Sequence, residues 1–384
     1  MLRAGCSKVD ITPMKEQFIA GFGKNRRSTA VHDDLYVRTL ALELGGDSLY
    51  ISSLDLIGVF RETVMDIRKR VKNELGIREE QIVIASTHNH QGPDTLGLWG
   101  PSDYETGVDP SYMGFLTERA VRSVVEAHST AKPATMSVGS VFVNPKSIVY
   151  NARDTNLIDR QLTVLKFEDS QRNCISTITN FAIHPEALGG SNTLISADLV
   201  KFIHEGVESS VGGTSIFLNG ALGGMVTPVV KENSFEEARR VGLAISTCAS
   251  RALENARTIP LETLEIRSSE IKAKLENELF AKATEMGLIP RETDRGMVVS
   301  EIELVRFGNE IGMATIPGEP LPRLGLEIKA LMPFRYKFII SLANDELGYI
   351  IPEDQWDSSK YEESMSVGPD MAPTIESRIA ELLG

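Results

Sequence analysis

The run Tyr36-Val37-Arg38-Thr39-Leu40-Ala41-Leu42-Glu43-Leu44, the triplet Gly45-Gly46-Asp47 and the run Ser48-Leu49-Tyr50-Ile51-Ser52-Ser53-Leu54 decide the fold class. Two aliphatic-rich segments flank a Gly-Gly-Asp turn, which reads as a β-hairpin. Next, the stretch 61–75 sets Val64, Ile67, Val71 and Leu75 on one helical stripe that Gly76 stops. Gln81-Ile82-Val83-Ile84-Ala85 is then a short strand of the buried kind. A hairpin beside a βαβ unit means mixed sheets. Farther along, helices are expected over 110–128, 199–207, 235–256, 324–331 and 374–383. Strands are expected over 134–143, 161–167, 175–183, 215–218, 298–306, 311–316 and 336–342. The expectation is an α/β fold of layered mixed β-sheets flanked by helices. No linker, charge block or repeat interrupts residues 1–384, so one catalytic domain is expected.

Composition narrows the function classes. The 384 residues are 42% hydrophobic and 24% charged, ordinary for a globular chain. Net charge is −13, from 53 acidic and 40 basic residues, which argues against nucleic acid and anionic lipid surfaces as partners. The basic stretch Lys24-Asn25-Arg26-Arg27 is short, lies among glycines and reads as a solvated loop. No segment approaches the ~18 apolar residues of a membrane span. The amino terminus lacks an apolar signal region, and Cys6, Cys174 and Cys248 form neither a CxxC pair nor an evident disulfide set; a cytoplasmic location is expected.

The string Ser86-Thr87-His88-Asn89-His90-Gln91-Gly92-Pro93 follows an apolar strand. On extended backbone, residues i and i+2 face one side, so His88 and His90 can converge on one site at a strand end. The alternative is a pair of satisfied structural histidines. His184, before Pro185, also ends an apolar run and is a second metal-ligand candidate or a capped core residue. Glu319, in Ile316-Pro317-Gly318-Glu319-Pro320, is a third candidate, or else the amino-terminal charge of the next helix. His128 and His204 lie in helical segments and read as structural, whereas His32 sits in a loop where it could line a pocket.

Together these strings resemble the neutral/alkaline, non-lysosomal ceramidase family. The resemblance runs from Val9-Asp10-Ile11-Thr12-Pro13 to about Gly368. It includes His32-Asp33-Asp34-Leu35-Tyr36-Val37-Arg38, the paired-histidine string, Phe181-Ala182-Ile183-His184-Pro185, Leu194-Ile195-Ser196-Ala197-Asp198, Pro317-Gly318-Glu319 and the tyrosines Tyr349 and Tyr361. It implies a ceramidase-type catalytic domain with His88, His184, Glu319 and Tyr349 as zinc ligands. His90 would stand unligated near the scissile group, Arg153 would orient the substrate, and Tyr361 would stabilise the oxyanion. Where the family carries a serine before proline, this chain has Thr227, a stiffer hydroxyl; a metal-activated water is therefore favoured over serine-type attack. The family's carboxyl-terminal immunoglobulin-like domain is expected to be absent. The implied activity is zinc-dependent hydrolysis of an N-acyl amide in a small-molecule or lipid-like substrate. Two alternatives stand beside it: a barrel-type metal-dependent amidohydrolase, and a catalytically retired member that only binds metal or ligand.

Overall fold

The computed structural model describes residues 1–291 and 293–384. The opening stretch forms the expected hairpin: strands Tyr36–Leu44 and Asp47–Leu54 pair antiparallel, with Leu40 opposite Ile51. Helix Arg61–Leu75 follows, and Gly76 ends it in the left-handed region, its N–H bonded to the Lys72 carbonyl. Strand Ile82–Ser86, fully buried, then lies parallel to Asp47–Leu54.

Among the described residues these strands belong to a nine-stranded mixed sheet. Its order is Thr214–Asn219, Cys174–Phe181, Gln161–Asp169, Lys132–Phe142, Arg3–Asp10, Tyr36–Leu44, Asp47–Leu54 and Ile82–Ser86, with Arg257–Ile259 pairing beside Lys132–Phe142. A five-stranded sheet holds Leu264–Lys274, Met297–Phe307, Ile311–Thr315 and Tyr336–Ile340, with Thr293–Asp294 against Met297–Phe307.

The buried apolar residues sort by layer. Leu40, Leu42, Ile51 and Val83 of the larger sheet pack against Val305, Phe307, Met313 and Phe338 of the smaller one. On the outer face of the larger sheet, Ile84 and Tyr50 meet Val64, Ile67 and Leu116 of helices Arg61–Leu75 and Pro110–Ser129. Val164 and Phe217 on that face meet helices Asp198–Val211 and Phe235–Glu254. Outside the smaller sheet, Leu304 and Ile339 meet helices Pro322–Leu331 and Met371–Leu383. The order is helix, sheet, sheet, helix. Two open, largely antiparallel sheets replace the closed ring of parallel strands that a barrel needs, so the barrel alternative is set aside.

The sheets are also joined by charge. Arg68, 2% exposed, donates Nε–H to the Ile82 carbonyl at 2.8 Å and pairs with Glu303 at 2.9 Å and with Glu301. Among the elements of eight residues or more, three are not expected from the sequence: the central strand Arg3–Asp10, the strand Leu264–Lys274 and the helix Glu278–Glu285.

Candidate metal centre

His88 lies two residues beyond strand Ile82–Ser86, with φ at 68°. The paired histidines therefore do not converge by strand alternation. The chain has left the strand, and His88 takes a left-handed backbone that non-glycine residues adopt rarely and that marks functional loops. The side chain is fixed by Nδ1, which donates to the Ile57 carbonyl at 2.8 Å. That bond leaves Nε2 to face inward, 3.3 Å from Glu319 Oε2.

His184 follows strand Cys174–Phe181 and is fully buried. Its backbone N–H and its Nδ1 both donate to the Val226 carbonyl, at 2.8 and 3.3 Å. Its Nε2 stands 3.0 Å from the same Glu319 oxygen. The two histidine loops share one brace. Asn219 donates its side-chain N–H to the Thr87 carbonyl at 3.0 Å and to the Ile183 carbonyl at 2.7 Å, and its Oδ1 accepts from Ile183 N–H.

Glu319 arrives from the other sheet, after Ile311–Thr315, and pairs in parallel register with Tyr349. Gly223 lets it approach closely, since a Cβ there would lie 2.4 Å from the Glu319 carbonyl oxygen. Burial alone would raise the Glu319 carboxyl, but His88 and His184 hold it well below the usual carboxylate range.

His90 completes the cluster: one nitrogen each of His88, His90 and His184 lies within 4.8 Å of the others. Burial, and then the neighbouring imidazoles, keep His90 neutral by pushing its pKa well down. Neither of its ring nitrogens has a hydrogen-bond partner. Its carbonyl accepts from Arg26 Nη2 at 2.6 Å. The 24–27 loop is exposed at Lys24, Asn25 and Arg27, as expected, but Arg26 is 8% exposed and departs from that reading; its guanidinium donates to loop carbonyls, those of Ala20 and His90 among them.

Tyr349 lines the same cavity, with its hydroxyl directed at the Met225 sulfur at 3.3 Å. Tyr361 stands on the rim, 58% exposed, 6.1 Å ring to ring from Tyr349. Desolvation, with the charges of Glu319 and Glu186, pushes its hydroxyl up to about 12. Arg153 and Thr227 do not line this cavity. The Arg153 guanidinium is bound by Glu363 at 2.6 Å and Glu362 at 3.0 Å, where it fastens the short helix Tyr361–Ser364. Thr227 is half-buried on a short strand opposite Tyr150, beside the carbonyl that fixes His184. His32 stacks on Phe235 at 3.6 Å and is no part of the site.

The cavity above the cluster holds about 570 Å³. Its outer wall comes from the unanticipated helix and from the 96–99 loop, including Leu96, Trp99, Leu279, Phe280 and Met286. Two carboxylates near the cluster also escaped sequence reading: Glu186 and Glu346, 8% and 4% exposed. Glu186, two places after His184 across a proline, carried a positional signal; Glu346 carried none.

Imidazole Nε2 atoms aimed at one carboxylate, each with Nδ1 bonded to a backbone carbonyl, form a donor set that could hold a metal ion. The spacings fit a small divalent ion. Bonds of roughly 2.0–2.1 Å in a tetrahedral site put ligand atoms about 3.3 Å apart, and the observed separations from Glu319 are 3.0 and 3.3 Å.

The chain belongs to the neutral/alkaline non-lysosomal ceramidase family, whose N-terminal profile matches residues 2–298. It is 23% identical over 269 residues to a neutral ceramidase of Pseudomonas aeruginosa, a match covering 63% of this chain and 40% of that protein. It is 26% identical over 191 residues to neutral ceramidase B of Dictyostelium discoideum, covering 44% of this chain and 26% of that one. The matched segments thus cover less than half the length of either relative. A crystal structure of the Pseudomonas aeruginosa neutral ceramidase superposes on all of this chain and 74% of its own, with a TM-score of 0.85 at 18% identity.

Proposed function

We propose that the chain is a zinc-dependent hydrolase that cleaves the amide bond of an N-acyl, lipid-like substrate. One observation carries the reading: the Nε2 atoms of His88 and His184 meet a single oxygen of Glu319 at the floor of an apolar-walled cavity. His88, His184 and Glu319 would hold the ion, and Tyr349, beside Glu319 in the ladder, would complete the set. The chemistry supplied by such an ion, when bound, is Lewis acidity towards water and an acyl carbonyl. His90, neutral and unpartnered, receives a proton and returns it to the departing amine. The Tyr361 hydroxyl, with its pKa pushed up, stays protonated at neutral pH and donates to the carbonyl oxygen as negative charge grows there. Arg153 acts one step back, by fixing the helix that carries Tyr361. The apolar wall desolvates the acyl chain and excludes water from the reacting bond. The relatives' names, neutral ceramidase, support an acyl amide as the substrate class.

The test is metal analysis of the purified chain together with assays on N-acyl amides, peptides, esters and lactones, with and without chelator. Near-stoichiometric zinc, chelator-sensitive amide cleavage, and loss of both in Glu319→Gln are expected. Stoichiometric zinc with no turnover on any substrate would leave a binding protein and sink the hydrolase reading.

A further inference from the structure

The helix Glu278–Glu285 and the turn that carries Tyr361 are both loosely seated. No residue of the helix is buried, and Leu279 is 70% exposed. The Tyr361 ring is itself mostly exposed, so its place is set by its backbone more than by packing.

One side chain holds both elements. Asn277 caps the helix: its Oδ1 accepts from the N–H groups of Leu279 and Phe280, each at 3.0 Å. The other end of the same amide, Nδ2, donates to the Ser364 and Ser366 carbonyls, each at 2.8 Å. Both donors and both lone pairs of the amide are thereby used. The link runs on to the tyrosine. Ser364 Oγ donates to the Tyr361 carbonyl at 2.6 Å, closing the turn, and Arg153 holds the two residues between them, Glu362 and Glu363. The backbone tie lies farther from Tyr361, where the N–H groups of Glu276 and Asn277 reach the Val367 carbonyl at 2.9 and 3.4 Å. Leu279, Phe280, Tyr361 and Asn277 all line one cavity. An acyl chain lying against Leu279 and Phe280 therefore bears on the element to which the Tyr361 turn is fastened.

We propose that Asn277 is a positioning residue that couples the acyl wall to Tyr361: a chain seated against the helix steadies, through the forked amide, the turn that presents the tyrosine hydroxyl. Binding energy from the remote end of the substrate is thus directed to placing a donor at the reacting carbonyl, and a long acyl chain raises kcat as well as affinity. The role given to Tyr361 rests on the hydrolase reading above; the mechanical link does not.

The experiment compares the zinc-loaded wild-type chain with Asn277→Asp and Asn277→Ser. Aspartate and serine each keep an oxygen that caps the helix, and neither carries the forked amide N–H groups. Hydrogen exchange is followed over 361–366 and 278–285, and kcat and KM are measured on an acetyl and a hexadecanoyl amide of the same amine. Both variants are expected to exchange about tenfold faster over 361–366, with 278–285 unchanged. Their kcat on the hexadecanoyl amide is expected to fall about tenfold, while kcat on the acetyl amide stays within about twofold and the long chain keeps its lower KM. Wild-type exchange over 361–366 in the variants overturns the proposal. So does a kcat loss equal for both substrates, which would make Asn277 a structural tie alone, and so does a loss confined to Asn277→Asp, which would trace to its charge. If the wild type cleaves neither amide, the hydrolase reading fails, and exchange alone decides whether Asn277 joins the two elements.

Discussion

Asn219 shows how much a single amide can govern. Its three hydrogen bonds tie Thr87 to Ile183, each one residue before a candidate ligand. Asn219→Ala leaves His88 and His184 chemically intact but frees their loops. Zinc affinity measured by chelator competition is expected to fall 10- to 100-fold, as for other groups that orient ligands; an unchanged affinity would show that the loops hold themselves. Asp55 permits a prediction about pH. Burial, only partly offset by Arg38 and the Tyr36 N–H, raises its carboxyl from 3.8 to about 6. The folded chain then holds this proton more tightly than the unfolded one, so the group removes stability as pH rises from about 4 to about 6, and the loss is complete above that. Asp55→Asn lacks this slope. Its unfolding free energy, relative to wild type, is expected to rise by up to about 3 kcal/mol between pH 4 and pH 7. A difference that does not change with pH would contradict the assignment.

Among the elements, the one-residue step at Gly348 matters most. Its φ is 70°, and a Cβ there would sit 1.7 Å from the Met365 carbonyl oxygen. The close approach joins the Tyr349 strand to the segment carrying Tyr361, through the bond from Tyr349 N–H to Met365. Gly348→Ala is expected to cost at least about 2 kcal/mol in urea unfolding, from left-handed strain and a backbone clash together; a shift below 0.5 kcal/mol, on the order of a neutral surface change, would show that the contact yields. Elements with strong periodicity were legible beforehand. The hairpin at 36–54, the helix stopped by Gly76 and the strand leading to His88 all follow from local pattern. Arg3–Asp10 did not stand out, because Gly5, Cys6 and Ser7 dilute its apolar character, although it ends up at the centre of the larger sheet through pairing with distant strands. His88, His184 and Glu319 were individually legible as strand-end residues. Their convergence was not, since it depends on two sheets stacking and on a left-handed turn at His88 that no spacing rule encodes.

Across the whole molecule, the candidate ligands belong to both layers of the sandwich: His88 and His184 extend from the larger sheet, Glu319 from the smaller. An ion bound there binds only the stacked state, so free zinc at about 1,000 times its dissociation constant is expected to add about 4 kcal/mol of stability. Thermal unfolding with zinc and with chelator checks this; coincident curves would mean that the donors do not act together. The cavity wall is built differently from its floor. The helix Glu278–Glu285 carries no buried residue, and its start is tied by Asn277, whose side-chain N–H groups reach the Ser364 and Ser366 carbonyls at 2.8 Å. On the hydrolase reading proposed above, substrate choice would thereby be separated from folding. Exchanging Leu279 on the helix or Met286 at its end would reshape the cavity wall while the stacked sheets beneath keep their geometry.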